Sequence, residues 1–196
     1  MTVTMPPGTT PQRQPIPVLL ALANARQPRR PAGAREWKAP DPFASYPAAH
    51  ALLEPLNLSQ PLAEDELGDL AALADQALAI AEALTGQRPL PDLGTLNRFA
   101  EQAHATQVLR ASSDGTLHAE LRWRASSAVS ELARRIVAEV GRLDPARLRR
   151  CSRQACNLLF YDTTRPGTQR WHSESPCGLR ERQARWRKAS TGKIRA

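Results

Sequence analysis

The clearest periodic pattern in the chain lies between residues 62 and 86. Apolar side chains recur there every three or four residues, which is the spacing of one helix face; they are Leu67, Leu70, Leu73, Ala77, Ile80 and Leu84. Acidic residues crowd the first turns, where they stabilise the positive end of the helix dipole. Gly86 then provides a stop signal. The pattern predicts a helix of five or six turns.

Two further helices are predicted after this one. The first starts after Asp92 and buries Leu96, Phe99 and Ala103. The second is capped by Ser126 or Ser127 and buries the apolar residues that recur at helical spacing, which are Val129, Leu132, Ile136 and Val140. We expect both helices to pack onto the long helix that precedes them.

Residues 106–124, between these two helices, show a different pattern. Apolar and polar side chains roughly alternate, which is the period of a β-strand. Asp114-Gly115 interrupts the alternation with a dipeptide typical of tight turns. The segment is therefore predicted to be a β-hairpin, and residues 59–146 a mainly helical domain that contains it.

The first 58 residues are rich in proline. Twelve of the 17 prolines lie at or before Pro61, and because proline removes a backbone donor, this density argues against long helices. We expect residues 1–58 to be partly disordered, with one short buried strand over PVLLALANA (17–25). A disordered tail is expected over 191–196. The whole chain is thus predicted to be mainly α with a small β-hairpin, in the α+β class.

All three cysteines lie between Cys151 and Cys177. Four residues separate Cys151 from Cys156, fifteen separate Cys156 from His172, and four separate His172 from Cys177. Two ligand pairs set about one hairpin apart are the arrangement of a closed tetrahedral zinc site. The sequence therefore predicts one structural Zn²⁺ bound by these four residues.

The segment between the two pairs supports this interpretation. Residues 158–162 are strand-like, residues 165–167 form a turn, and residues 169–172 are predicted to return as a second strand. Three alternatives remain for these cysteines: a disulfide, which a cytoplasmic setting disfavours, unrelated buried thiols, and a redox switch that ejects zinc. Only the last is compatible with a structural site.

Charge is strongly segregated along the chain. Residues 147–196 hold 13 Lys and Arg against three acidic residues, a net charge of +10, whereas the whole chain carries +8. The first 146 residues therefore sum to −2. A basic block beside a near-neutral domain is the electrostatic pattern of a protein that binds a polyanion such as DNA.

The C-terminal motifs resemble a known family. LRRCSRQACNLLFYDTTRPGTQRWHSESPCGLRERQARWR is similar to the CGNR-type zinc finger of bacterial transcriptional regulators. Residues 160–164 match the family's F-x-D-x-S-like stretch, residues 169–172 its R-R-W-C segment, and residues 177–180 its C-G-N-R motif. His172 replaces the family's third cysteine and remains a good zinc ligand, while Leu179 replaces its asparagine.

The resemblance implies a fold for both parts of the chain. It implies a treble-clef or ribbon-like zinc finger over residues 147–190, built of a knuckle, a hairpin and a helix. It also extends loosely over residues 60–150, whose layout is similar to the family's mainly helical N-terminal domain. That domain is called ABATE and is described as belonging to stress-induced regulators.

The resemblance and the charge pattern together predict a DNA-binding transcriptional regulator. A basic helix over residues 179–188 would enter a major groove, with Leu179 and Trp186 packed on the zinc knuckles. The candidate nucleic-acid contacts are Arg180, Arg182, Arg185, Arg187, Lys188, Arg170 and Arg165. Double-stranded DNA is the expected partner, and the helical domain is expected to sense a signal or to form a homodimer.

The alternative function is a zinc-stabilised module that docks on a protein partner without sequence-specific DNA binding. The sequence has no Gly-rich phosphate loop of the usual kinds and no nucleophile-elbow pattern, so an enzyme is not expected. Apolar runs are too short to cross a membrane. Residues 16–25 lack the length and flanking charge of a signal peptide, so a cytoplasmic protein is expected.

Overall fold

The computed structural model describes residues 17–27, 40–153 and 155–193, without the side chains of residues 188–193. Within these ranges the chain forms six α-helices and two antiparallel hairpins, so the predicted mainly helical α+β class is confirmed. In chain order the elements are α1 (Val18–Ala25), α2 (Tyr46–Leu53), α3 (Leu67–Leu84), α4 (Gly94–Ala100), β1 (Ala103–Ala111), β2 (Leu117–Ala125), α5 (Ala128–Val140), β3 (Leu148–Arg150), β4 (Leu159–Tyr161) and α6 (Leu179–Lys193).

Some sequence predictions fall outside these ranges. The disorder expected near the N-terminus concerns mostly residues 1–16 and 28–39, and the disordered tail concerns in part residues 194–196; these stretches lie outside the described residues. Within the described helices, none is long and apolar enough to span a membrane.

Residues 18–25 form helix α1, so the predicted strand was wrong. A short apolar run bounded by turn signals fits a buried strand and a buried helix equally well, and here the tertiary contacts decide. Most of α1 is buried, including Leu19 and Leu22. Glu139 of α5 caps its start, because the two carboxylate oxygens accept hydrogen bonds from the N–H groups of Val18 (2.8 Å) and Leu19 (2.9 Å).

The helical core is formed by α1, α3, α4 and α5. Helix α1 packs against α3 and α5, and α4 packs against α5. The largest fully buried core side chains lie on these helices and are Leu19, Leu22, Leu70, Leu73, Leu132, Ile136 and Val129. The predicted apolar faces of α3 and α5 thus face the same core. The predicted stop after α3 coincides with Gly86, whose φ of 72° favours glycine.

Helix α5 also binds the loop that precedes α3. Ser127 caps its N-terminus, as expected, by accepting a hydrogen bond from the N–H of Ser130 (3.1 Å). Glu131 is 3% exposed and accepts a hydrogen bond from the N–H of Ser59 (2.8 Å). It also pairs with Arg135, which donates to the carbonyl of Leu56 (2.6 Å). Because the buried carboxylate is paired and hydrogen-bonded, it is compatible with the core.

The β1–β2 hairpin is longer than predicted, and Ala103, which was expected on the preceding helix, is the first residue of β1. Its nine pairs run from Ala103↔Ala125 to Ala111↔Leu117. At the turn, Asp114 accepts a hydrogen bond from the N–H of Thr116 (2.9 Å). We call residues 103–125 the ribbon. Its base packs on α5, whereas most of its length is exposed.

The C-terminal segment shares the helical core. Leu148 of β3 and Leu159 of β4 belong to the same buried cluster as α1, α3 and α5. Asn24 of α1 both donates to the carbonyl of Leu159 and accepts from its N–H, each at 2.9 Å. Arg150 reaches α3 and the turn after it, through Glu82 (3.4 Å) and Gln87 (2.8 Å). Strands β3 and β4 are therefore anchored on the helices.

We expect Leu159→Ala to destabilise both parts of the chain. The substitution leaves a cavity under β4, and such changes cost about 2–5 kcal/mol of unfolding free energy. Chemical denaturation followed by circular dichroism measures the loss, and zinc retention measures the effect on β3–β4. Leu90→Ala is the control, since Leu90 is 74% exposed and should change stability by less than about 0.5 kcal/mol. Equal effects of the two variants would contradict a shared core.

Candidate metal centre

The first ligand pair lies at the tip of the β3–β4 hairpin. Cys151 directly follows β3, and its N–H donates to the carbonyl of Leu158 (2.8 Å). The N–H of Cys156 donates to the carbonyl of Arg153 (2.8 Å), which closes a tight turn. The hairpin pairs Leu148–Arg150 with Leu159–Tyr161 and so encloses the first ligand pair. The sequence had predicted a hairpin between the two ligand pairs, and this prediction was wrong.

The predicted return strand over residues 169–172 is absent from the described structure; those residues are irregular. They are held by side chains rather than by a strand ladder. Asp162 is fully buried, and it accepts hydrogen bonds from the N–H (2.9 Å) and hydroxyl (2.6 Å) of Thr164 and from the N–H of Gln169 (2.8 Å). The N–H of Ser152 donates to the carbonyl of Arg170 (2.9 Å). This loop brings His172 back to the first pair.

Asp162 keeps its charge in this setting. Burial alone would raise the pKa of the Asp162 carboxyl, but the hydrogen bonds from Thr164 and Gln169 and the charge of Arg149 outweigh it and hold the pKa below its usual range. The structural role of Asp162 was not predicted from the sequence. The available signal is the tendency of aspartate to accept a hydrogen bond from the backbone N–H two residues later, which closes a tight turn.

The second pair ends directly before α6. Cys177 is 1% exposed and lies in an irregular helical turn over residues 174–178. The carboxylate of Glu174 lies over Gly178, and a Cβ at this glycine would be 2.5 Å from a Glu174 oxygen. The same carboxylate forms an ion pair with Arg182 of α6. The close approach at Gly178 thus joins the metal cluster to the first turns of the helix.

The structure brings the four predicted ligands together. Their ligand atoms all lie within 4.8 Å of one another. Nδ1 of His172 is 3.2 Å from Sγ of Cys156 and 3.6 Å from Sγ of Cys177. In tetrahedral zinc sites, Zn–S and Zn–N bonds of about 2.3 and 2.0 Å place sulfur and nitrogen about 3.6 Å apart. All three cysteines are free thiols, which excludes the disulfide alternative here.

The donor set and its surroundings fit zinc. Three buried thiols and one imidazole are the soft and borderline ligands that Zn²⁺ prefers. Phe160, Leu158 and Trp171 pack around the cysteines and shield them from water. Four protein ligands complete a tetrahedral shell and leave no position for a catalytic water, so one structural zinc ion is the appropriate cofactor.

Residues 147–189 match the family model of the CGNR zinc finger. The match covers 43 of the 196 residues, and we refer to this segment as the CGNR finger. The four clustered ligands all lie within it. No curated protein matches this chain significantly. The family match therefore concerns the zinc-binding segment alone.

The predicted nucleic-acid contacts lie in two places. Arg165 and Arg170 are exposed in the loop before His172, and the Arg170 guanidinium lies 5.5 Å from the centre of the Trp171 ring. The others lie on α6, which continues to Lys193, five residues beyond the predicted end. Its exposed arginines are Arg180, Arg182, Arg185 and Arg187. The side chain of Lys188 lies outside the described residues.

Leu179 and Trp186 do not pack on the zinc knuckles, and this prediction was wrong. Leu179 is 44% exposed and Trp186 is 72% exposed. The apolar positions beside the cysteines are instead filled by Phe160, Leu158 and Trp171. A spacing of seven residues correctly places two side chains on one helix face, but it does not say which way that face points.

Other arginines of the CGNR finger hold its loops. Arg147 donates to the carbonyls of Asp162 (3.1 Å) and Thr164 (2.7 Å). Arg149 donates to the carbonyl of Gly167 (2.6 Å). Because these guanidinium groups are engaged in internal hydrogen bonds, part of the positive charge of this segment serves its folding.

We expect His172→Ala to abolish stoichiometric zinc binding, because three remaining ligands leave the tetrahedral shell open. Elemental analysis of purified protein should fall from one zinc per chain to well below one. His50→Ala is the matched control, since His50 lies on α2 and outside the cluster, and it should keep one zinc. Full zinc content in His172→Ala would show that the ligand assignment is wrong.

Zinc binding should depend on pH through the thiols. Burial raises the pKa of the Cys156 thiol to about 11, and contacts with the other two cysteines add to the shift. At neutral pH the Cys156 thiol is therefore protonated in the metal-free protein and must release its proton to bind zinc.

The apparent zinc affinity should accordingly fall about tenfold for each unit that the pH is lowered, from the release of this one proton alone. Calorimetric titrations in buffers of different ionisation enthalpy count the protons released. Release of less than one proton per zinc at neutral pH would contradict a protonated Cys156.

Proposed function

We propose that this chain is a transcription regulator that binds double-stranded DNA through α6 of the CGNR finger. The observation that carries the proposal is the position of α6 directly after Cys177-Gly178, with its arginines exposed. A metal site at one end of a basic helix holds that helix in a defined orientation, which DNA readers require.

The arginines of α6 lie on two opposite sides of the helix. Arg180 and Arg187 are seven residues apart and share one side, whereas Arg182 and Arg185 are three apart on the opposite side. An α-helix fits the B-DNA major groove, where arginine can bind guanine bidentately and the adjoining phosphates. We expect Arg180 and Arg187, which share one side of α6, to make the first contacts.

The loop before His172 extends this basic surface. Arg165 and Arg170 are exposed there and can contact phosphates, which supply affinity without reading sequence. The segregated charge supports the same function, since the net charge of +10 in residues 147–196 exceeds that of the whole chain. Attraction of this kind falls steeply as salt rises.

The helical part would sense a signal or dimerise, as an ABATE-like domain of a cytoplasmic, stress-responsive regulator. Its layout of α3, α4, the ribbon and α5 supports this assignment. We do not assign a catalytic activity to the chain, because the tetrahedral cluster has no open ligand position.

A second candidate function is docking on a protein partner. The exposed apolar residues of α6 favour it, since Trp186 is 72% and Leu179 44% exposed. Tryptophan and arginine are the residue types most enriched at energetic centres of protein interfaces. This module would bind an acidic protein surface rather than DNA.

The test compares matched double variants of the zinc-loaded full-length protein. Arg180→Gln with Arg187→Gln should weaken binding to duplex DNA at least tenfold, and should lower the slope of log affinity against log salt by about 2 if both contact phosphates. Arg88→Gln with Arg98→Gln removes the same charge from exposed positions on the helical part and should leave binding unchanged. Fluorescence anisotropy measures both.

Sequence specificity is tested by selection from a random duplex library at physiological salt. The proposal expects a shared short motif among the bound fragments, which the Arg180 and Arg187 double variant fails to enrich. Absence of DNA binding at this salt, or equal loss in both double variants, would contradict a DNA-reading α6. Saturable binding to one protein partner would then support the docking function.

A further inference from the structure

We propose that the ribbon, residues 103–125, is a dimerisation element whose apolar face stacks against the same face of a second copy of this chain. The proposal does not depend on DNA binding. It rests on the segregation of side chains between the two faces of the ribbon, on their exposure and on the surface area that they offer.

The two faces of the ribbon differ sharply in chemistry. In the observed register, odd-numbered residues of β1 oppose odd-numbered residues of β2, so they share one face. This face is uncharged and apolar except for Gln107; its members are Ala103, Ala105, Gln107, Leu109, Ala111, Leu117, Ala119, Leu121, Trp123 and Ala125. The other face carries Val108 and all the charged side chains of the two strands, among them Arg110 and Glu120, which are paired at 3.0 Å.

Among the described residues, cover is found only over the base of the apolar face. Ala103 is buried and Ala125 half-buried where the ribbon meets α5, and Arg134 of α5 lies 4.8 Å from the centre of the Trp123 ring. Beyond that point the large side chains are exposed: 69% for Leu109, 62% for Leu117 and 57% for Leu121. The surface that packs on α5 at the base therefore continues past the helix without cover among the described residues.

A two-stranded hairpin exposed on both faces is at best marginally stable in water. Nine residues per strand make this one about 30 Å long, so its outer pairs extend well beyond the support of α5. A strict alternation that places every charge on one face is typical of a sheet with its other face buried. The pattern thus indicates that something covers the apolar face.

The composition of the remaining segments of this chain disfavours them as the cover. Residues 1–16, 28–39 and 194–196 contain few large apolar side chains, which are Met1, Val3, Met5, Ile16, Trp37 and Ile194. Met1, Val3 and Met5 alternate with threonine, but five residues span at most about 17 Å as a strand, which is short of the ribbon's length of about 30 Å. A charged partner is also disfavoured, because the face has no ionic group to pair with it.

A second ribbon has the complementary properties. A two-fold axis brings the same patch of both copies together, and two flat apolar faces can pack about 10 Å apart, as stacked sheets do. Leu109, Leu117, Leu121 and Trp123 each expose on the order of 100 Å² at their observed levels. With the alanines, the two faces together would bury on the order of 1,000 Å², which reaches the lower limit of specific protein interfaces.

The test measures the oligomeric state of the zinc-loaded full-length protein between roughly 1 and 200 µM, a range suited to an interface of this size. Analytical ultracentrifugation should show conversion from the 21.5 kDa monomer to a species of twice that mass. Leu121→Glu places a charge in the centre of the apolar face and should raise the dissociation constant at least tenfold. A monomer at every concentration of the unsubstituted protein would overturn the proposal.

Thr106→Glu is the matched control. It adds the same charge to the neighbouring strand, but on the polar face and opposite Arg122, so it should leave the dimer intact. Unchanged zinc content and circular dichroism would show that both variants are folded. Dimerisation of Leu121→Glu with unchanged affinity, or equal loss in both variants, would show that another surface associates.

Hydrogen exchange locates the interface independently of any substitution. Backbone amides of residues 103–125 should become more protected as the concentration of the unsubstituted protein is raised through the dissociation constant. Concentration-dependent protection confined to other residues would overturn the ribbon as the interface. Because none of these measurements contains DNA, their failure is distinguishable from failure of the DNA-binding proposal.

Discussion

Convergence of four ligand atoms on one zinc ion is the constraint on which the C-terminal quarter of the chain depends. The segment has few apolar residues, and its own cluster consists of the three cysteines, Phe160, Leu158 and Trp171. A core of this size does not stabilise a fold alone, so metal binding supplies folding free energy. Buried Asp162 also stabilises the long loop between the ligand pairs, because its side chain accepts hydrogen bonds from the N–H groups of Thr164 and Gln169.

The metal-bound segment is also continuous with the helical core. Leu148 of β3 and Leu159 of β4 are buried among the helices. The same two strands enclose the turn that holds Cys151 and Cys156. Asn24 and Arg150 add hydrogen bonds across the same boundary. Local opening of the metal site is therefore coupled to the packing of β3 and β4 on α1 and α3, because one pair of strands serves both.

The two exposed surfaces of the molecule have opposite chemistry. The arginines of α6 form a basic surface next to the zinc cluster. The ribbon, in the helical part of the chain, presents an uncharged apolar face. In our two proposals, the basic surface contacts DNA and the apolar face contacts a second copy of the chain. A dimer formed by the ribbon would present two copies of α6, which is how many DNA-binding proteins read two half-sites.

Much of the architecture was determined by local sequence. The helical periods of α3 and α5, the Asp114-Gly115 turn and the Ser127 cap all act through neighbouring residues, and the structure has them as predicted. The four zinc ligands were equally evident, because cysteine and histidine at this spacing have few other uses. These features depend on short-range geometry and on ligand chemistry.

Tertiary structure decided what short-range patterns leave open. Residues 18–25 form a helix because Glu139 accepts hydrogen bonds at its first turn and the core buries its apolar side chains. The same apolar run fits a strand as well. The strand pairing in the metal segment formed around the first ligand pair rather than between the pairs. Tertiary packing also decides which way Leu179 and Trp186 point. It likewise decides whether another element covers the apolar face of the ribbon. Periodicity places side chains on a common face, but only packing determines what that face meets.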